Sequence, residues 1–368
     1  MKAIVSGGGT GGHIYPALSI AHALQAEGAQ ILFMGGMKTP DGKGEAVESH
    51  LAQQAGFEYR GVSAAGLHFK SIALLKDLLI NFKGMQEARG YIEKFKPDLV
   101  IGCGGYAAAP VLRAAQSLAI PTLIHEQNAY PGRANRYLAK RAKAVCQTFA
   151  ASAALFPPKS KLFLTGLPVR KSIFNATRLD AWRYFCLDGA EQNIPTLLIC
   201  GGSQGAQAIN QAAVAAYGAL LAMGIRIIHL CGERNYEDLL AQAPHHPRLM
   251  LLPYLDHMEY ALTLADLTLS RAGASYLAEI ACVGLPAILI PYPYAAGDHQ
   301  TANAKAVESA GAAVVIGNDQ LTGELLAETV SSLLTNPVRL ARMAEAAKTL
   351  AKPDAAAHIC SIAKQIIK

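Results

Sequence analysis

Two glycine-rich runs hold most of the residues able to do chemistry. The first, Gly7-Gly8-Gly9-Thr10-Gly11-Gly12-His13, follows the apolar run Ala3–Ser6. Glycine lets a backbone turn sharply and bring its N–H groups against an anion, and a helix starting there adds its positive end. The second run, Gly201-Gly202-Ser203-Gln204-Gly205, follows the apolar stretch Thr196–Cys200 in the same way. Both read as phosphate cradles, with the Ser203 hydroxyl as an added donor. His13 puts a side chain that titrates near neutral pH beside the first cradle, which suits a general base.

Competing readings of these runs fare less well. Gly7, Gly9 and Gly12 fit the dinucleotide fingerprint, but that site wants an acidic residue about 20 positions further on, at the end of the second strand. Ile31-Leu32-Phe33-Met34-Gly35-Gly36 offers none, which argues against NAD or FAD. Gly201 to Gly205 also fits the nucleophile elbow of serine hydrolases, and Asp266, His257 and His299 lie downstream. A hydrolase leaves the first loop without a purpose, whereas phosphate binding accounts for both. No Asp-x-Asp occurs, Gly36 to Gly44 lacks Walker spacing, and His125-Glu126 lacks the second histidine of a zinc protease. No metal and no cofactor is expected. A diphosphate leaving group then needs helix ends, backbone N–H groups and arginine.

The elements that must position these loops alternate in the α/β manner. In the first half, strands fit Ala3–Ser6, Ile31–Met34, Leu99–Gly102, Thr122–His125 and Ala144–Thr148, with helices at Pro16–Gln25 and Met85–Phe95. Leu162–Thr165 leads into Gly166-Leu167-Pro168, a turn suited to a linker. Strands then fit Thr196–Cys200, Arg226–Leu230, Leu249–Leu252, Leu267–Ser270, Ala287–Pro291 and Ala313–Ile316, with helices from about Ala206, Ala274 and Thr301. The end is helical from Pro337, broken at Lys352-Pro353. The expected fold is α/β: two Rossmann-like domains facing across a cleft, 1–166 and 167–350. Residues 351–368 are expected as a C-terminal helix that can return to the first.

Composition agrees with two well-packed cores. The 368 residues are 52% hydrophobic and 16% charged, with a net charge of +6. That mild excess favours phosphates or acidic lipid over nucleic acid. An odd count of 7 cysteines without CxxC reads as reduced thiols in a cytoplasmic protein. The N-terminus runs straight into glycines, so no signal peptide is expected. No uninterrupted apolar run reaches the ~18 residues a membrane span needs.

Seven motifs in order, GGGTGGH (7–13), GCGGY (102–106), HEQNAYPGRANR (125–136), GLPVR (166–170), GGSQGA (201–206), SRAGASYLAE (270–279) and DHQTANA (298–304), closely resemble the MurG family. These are the N-acetylglucosaminyltransferases of peptidoglycan synthesis. The resemblance implies a GT-B fold and metal-independent, inverting transfer from UDP-N-acetylglucosamine to an undecaprenyl-pyrophosphoryl-linked muramoyl pentapeptide, at the 4-hydroxyl. It also implies peripheral attachment to the cytoplasmic face of the cell membrane, on an anionic surface. By the same resemblance, donor-binding residues are Thr10, Gly11, Gly12, Asn128, Arg170, Ser203, Leu255, Arg271, Glu279, His299 and Gln300. Glu279 would hold the ribose hydroxyls, Arg271 the diphosphate and the Leu255 backbone the uracil. Gly105, Tyr106, His125 and Glu126 would lie on the acceptor side, which the first glycine loop also borders, and His13 is the expected base. Leu167 stands where the family has Asn, and Tyr276 where it has Thr.

Other readings stay open. A UDP-N-acetylglucosamine 2-epimerase, another lipid glycosyltransferase and a non-catalytic sugar-nucleotide-binding protein share much of this grammar. From Leu67 to Met85 a dense apolar face is interleaved with Lys70, Lys76 and Lys83. It is either a core helix with snorkelling lysines or a membrane-surface patch.

Overall fold

The computed structural model describes residues 1–38, 44–66, 73–187, 189–202 and 204–367. The chain forms two compact units, Met1–Val169 with Lys352–Lys368 and Arg170–Ala351.

Unit 1 runs β1 (Lys2–Ser6), α1 (Gly11–Ala26), β2 (Gln30–Gly36), α2 (Val47–Gln54), β3 (Glu58–Val62) and α3 (Ala73–Phe95). It continues with β4 (Leu99–Gly102), α4 (Ala108–Ser117), β5 (Thr122–Glu126), α5 (Arg133–Leu138), β6 (Ala144–Gln147) and β7 (Leu162–Leu164). The sheet is parallel throughout, in the order β3-β2-β1-β4-β5-β6-β7. Order reverses between β1 and β4, and the first glycine run leaves the carboxyl end of β1 at that switch point. This is where open α/β sheets take ligands. Ala3 and Val5 of β1 face one core layer and Ile4 the other. Burial on both faces explains why such strands read as unbroken apolar runs.

Unit 2 begins with α6 (Lys171–Asn175), α7 (Arg178–Tyr184), β8 (Thr196–Cys200), α8 (Gln207–Ala222), β9 (Arg226–Leu230), α9 (Tyr236–Leu240) and β10 (Leu249–Leu252). Next come α10 (Met258–Leu264), β11 (Leu267–Ser270), α11 (Ala274–Val283), β12 (Ala287–Leu289) and α12 (His299–Ser309). β13 (Ala313–Val315), α13 (Gly323–Leu334) and α14 (Pro337–Leu350) complete it. Its parallel sheet runs β10-β9-β8-β11-β12-β13, so the second glycine run also leaves a strand at a switch point. The last helix, α15 (Ala355–Ile366), belongs to unit 1. Its Ile359, Cys360, Ile362 and Ala363 pack in the same core layer as Ile14, Ala17, Ile20 and Leu24 of α1. Lys364 pairs with Glu27 at 2.7 Å outside that layer.

Several elements differ from the sequence expectation. Helix α1 starts at Gly11 rather than Pro16, so Pro16 lies inside it and removes one i to i−4 bond. Helix α3 begins at Ala73, well before Met85, because its first half is apolar on a face that the core does not use. Strand β3, with Glu58, Tyr59 and Arg60, is an edge strand whose polar residues hide its period. All seven cysteines are thiols; Cys186 is exposed and Cys103, Cys146, Cys231 and Cys360 are buried.

Candidate active site

The first glycine run opens onto solvent at its tip. Thr10, Gly11 and Gly12 are exposed, while Gly7 and Gly8 are buried against the sheet end. The N-cap of α1 is Thr10, yet its side chain does not cap the helix, and the first turn holds no acidic residue. Instead Thr10 Oγ1 sits 2.9 Å from His13 Nδ1. When Nδ1–H donates to the hydroxyl, Nε2 is the nitrogen that accepts a proton. The ring lies over Gly104, whose φ is +85°; a Cβ there would stand 2.9 Å from His13 Cδ2 and 3.2 Å from Nε2. Tyr106 rests its ring edge on Gly9, and burial pushes its hydroxyl up to about 12. Gly105 meets the Gly8 carbonyl so closely that no side chain fits, which locks the two loops together.

Behind these loops, His125 and Glu126 are fully buried and shape backbone, so neither presents a surface to an acceptor. His125 Nε2 donates to the Gly166 carbonyl at 2.9 Å, and its Nδ1 accepts from Gln127. Burial pulls this imidazole down to about 4. Glu126 accepts from the backbone N–H of Asn128 and Gly132 and from the Asn135 amide, at 2.8 to 3.0 Å. Burial raises its carboxyl, and those donors act against the rise. Asn128 is thereby held in the loop after β5, its side-chain amide also turned to Glu126 at 3.3 Å.

In unit 2 the second glycine run leads into α8, again with no side-chain cap and no acid in the first turn. Helix α11 starts likewise at Gly273. By contrast α7, α13 and α14 are capped by Thr177, Thr322 and Asn336. Uncapped, acid-free helix starts at sheet switch points are suited to anions. Gly205 has φ +74° and packs on the Cys231 carbonyl, which also accepts from Asn210 and Asn235. Ser203 lies outside the described residues. A pocket of about 330 Å³ beside this loop is lined by Gln204, Glu233, Arg234 and Tyr254, next to the buried Leu255.

Glu279 and Arg170 are brought together: Arg170 Nη2 donates to Glu279 Oε1 at 3.0 Å. Burial raises the Glu279 carboxyl, and Arg170 opposes this. Arg271 turns Nη1 inward, to the carbonyls of Ile290 and Pro291 and to Asn318, while its guanidinium stacks on Tyr292. It braces the loop after β12 through that nitrogen. Gln300 accepts from the Tyr292 N–H at 2.9 Å, and His299 opens α12 beside it. Tyr276 points into the sheet, its hydroxyl 2.7 Å from Thr268, and Leu167 is buried. Among the described residues no three His, Cys, Asp or Glu side chains gather as a metal would need.

Gly104 and Asn135, inside the GCGGY and HEQNAYPGRANR motifs, carry no residue type or spacing that marks them as site parts. Their roles depend on which side chain packs against them.

The glycosyltransferase family 28 N-terminal domain matches residues 3–147 and the C-terminal domain residues 196–359. A UDP-N-acetylglucosamine--N-acetylmuramyl-(pentapeptide) pyrophosphoryl-undecaprenol N-acetylglucosamine transferase of Desulforamulus reducens is 42% identical, covering 100% of this chain and 99% of its own. The protein of the same description from Desulfitobacterium hafniense is 45% identical over 98% of each chain. The crystal structure of Acinetobacter baumannii MurG superposes with a TM-score of 0.79 at 31% identity, covering 99% of both chains. Two Rossmann-like units with this topology are the GT-B fold. The chain belongs to glycosyltransferase family 28, among the N-acetylglucosaminyltransferases of the MurG type.

Proposed function

We propose that the chain transfers N-acetylglucosamine from UDP-N-acetylglucosamine to the muramoyl 4-hydroxyl of undecaprenyl-pyrophosphoryl-linked muramoyl pentapeptide, with inversion and without a metal. The observation that carries the chemical step is the Thr10–His13 pair seated on Gly104 at the uncapped start of α1. A sugar hydroxyl is too weak an acid to attack unaided. His13 Nε2 takes its proton as the oxygen bonds to the anomeric carbon and the bond to the diphosphate breaks. UDP departs, and base catalysis of this kind contributes about 10²–10⁴-fold.

The outer N–H groups of Gly11 and Gly12 suit the acceptor's pyrophosphate, beside Tyr106. In unit 2 the starts of α8 and α11 suit the donor diphosphate, with charge stabilised by oriented N–H groups. Glu279 suits the ribose diol, whose hydroxyls donate to a carboxylate. Arg170, its partner, is then placed to follow the phosphates. Gln300 suits the sugar hydroxyls and Leu255 the uracil. Asn128 is a further donor-sugar candidate.

Membrane attachment rests on α3. Leu75, Leu78, Leu79 and Phe82 recur at helical spacing and are exposed, Leu75 by 69% and Phe82 by 58%, with Lys76 and Lys83 beside them. The opposite face buries Asp77, Ala88 and Ile92. An apolar stripe rimmed by lysine suits shallow insertion into an anionic leaflet. Among the described residues no helix is long and apolar enough to cross a membrane. Leu67, Phe69, Lys70 and Ile72 lie outside the described residues.

The test offers purified protein UDP-N-acetylglucosamine and a short-chain analogue of the lipid acceptor, without added metal. A disaccharide lipid is the expected product. Epimerised nucleotide sugar, or no reaction by folded protein that binds UDP, overturns the reading.

A further inference from the structure

The end of β2 raises a question that transfer chemistry leaves unanswered. In a dinucleotide-binding Rossmann unit an acidic side chain stands there and the first glycine loop holds a pyrophosphate. Here β2 ends in Gly35-Gly36, and a carboxylate arrives from elsewhere. Glu48, in the first turn of α2, is 2% exposed. Its Oε1 accepts the Gly36 N–H at 3.0 Å, and its Oε2 accepts the Gly9 N–H at 3.4 Å. A Cβ on Gly35 would lie 2.8 Å from Glu48 Cγ, and one on Gly36 3.0 Å from Oε1. A Cβ on Gly8 would collide with the carboxylate outright. Three glycines, one in the first loop and two at the end of β2, thus lack side chains where this one acid needs the space.

We propose that Glu48 is a positioning residue for transfer, a fixed internal anion that occupies the inner side of the first glycine loop and holds His13 in register. The Gly9 N–H of that loop and the Gly36 N–H at the end of β2 are satisfied by the protein's own carboxylate, and the exposed Gly11–Gly12 start of α1 is the part that faces an external phosphate. Fixing Gly9 fixes its neighbour Thr10, whose backbone is extended and whose carbonyl takes the N–H groups of His13 and Ile14. The Thr10 hydroxyl then orients the His13 ring. Tyr106 and Tyr59 close the same assembly: Tyr106 lies on Gly9, and the Tyr59 hydroxyl donates to the Gly36 carbonyl at 2.6 Å. Burial and the Glu48 carboxylate together raise both phenols.

The proposal rests on His13 being the base, so its test varies both residues. Glu48→Gln keeps shape but replaces one acceptor oxygen by a donor that faces an N–H group. Transfer kinetics are measured for Glu48→Gln, His13→Ala and the double variant, with UDP titration to check unit 2 and thermal melting to check unit 1. Misplacing a catalytic group by about 1 Å costs on the order of 10²-fold, so kcat of Glu48→Gln should fall by about that much. KM for the nucleotide sugar should stay within about twofold, because that effect is confined to the acceptor-side loop. In the His13→Ala background Glu48→Gln should add no further loss, since both changes remove the same contribution. A support with a merely structural role would cost the same in both backgrounds, and that result overturns the proposal. Wild-type kcat in folded Glu48→Gln, beside an impaired His13→Ala, overturns it alone. Full turnover by His13→Ala instead removes the general-base reading. If Glu48→Gln melts below the assay temperature, Glu48→Asp, which keeps the charge but draws it back, goes through the same cycle.

Discussion

At the scale of single residues, the site depends on positions where a side chain is absent. Gly104 is the clearest: φ is +85° and the His13 ring fills the space a Cβ would take. Gly104→Ala should therefore lower kcat by about 10²-fold while UDP titration stays unchanged; a fully active variant would show that the ring has room to move. Acid should destabilise the fold through two buried imidazoles. His125 and His229 are buried, and both are pulled down to about 4 from an ordinary 6.5. His229 is neutral in a closed network, Nε2–H to Asn210 and Nδ1 accepting from Tyr217. Between pH 6.5 and about 4 the unfolded chain binds protons that the folded one refuses, so stability falls as pH falls. Each histidine is worth on the order of 3 kcal/mol over that span. Glu126 and Glu279, raised by burial, act in the opposite sense. Denaturant unfolding at pH 7 and 4.5 should show a smaller acid loss in His229→Gln than in the parent. The two glycine loops were legible as turns in the sequence because a backbone that bends sharply after a strand needs glycine. Glu48 was not, since a glutamate at a helix start reads as a solvated charge until three glycines are seen around it.

Among the elements, the inner strands were legible because parallel strands covered on both faces read as unbroken apolar runs. Edge strand β3 and the first half of α3 broke that rule for opposite reasons. The strand carries charge where the sheet ends, and the helix carries leucine where the core does not reach. Periodicity alone left α3 between core helix and membrane surface; exposure of Leu75, Leu78, Leu79 and Phe82 decides which face is unpacked. Phe82→Asp or Leu79→Asp should weaken salt-sensitive binding to phosphatidylglycerol vesicles at least tenfold, because an inserted apolar group is lost and a like charge faces the lipid. Equal partitioning of folded variants would remove α3 as the anchor. Turnover on a detergent-soluble acceptor should change little.

For the whole molecule, the repeated grammar of strand, glycine loop and helix made a doubled α/β fold legible. The last helix, α15, lies with unit 1. Ile359 is fully buried in the layer that α15 shares with α1. Ile359→Ala should cost unit 1 about 2–5 kcal/mol through the cavity it leaves. Calorimetry should show an earlier first transition, with UDP affinity in unit 2 intact. A single unchanged transition would mean that α15 contributes little to unit 1.

The position of α15 also bears on how the chain comes off the ribosome. Domains generally fold in the order of their synthesis, the N-terminal one first. Here the sheet of unit 1 is made first but lacks the helix that covers part of its α1 face until every residue of unit 2 has been added. The half made first is the last to finish, and through most of translation it carries an open apolar face for chaperones to shield.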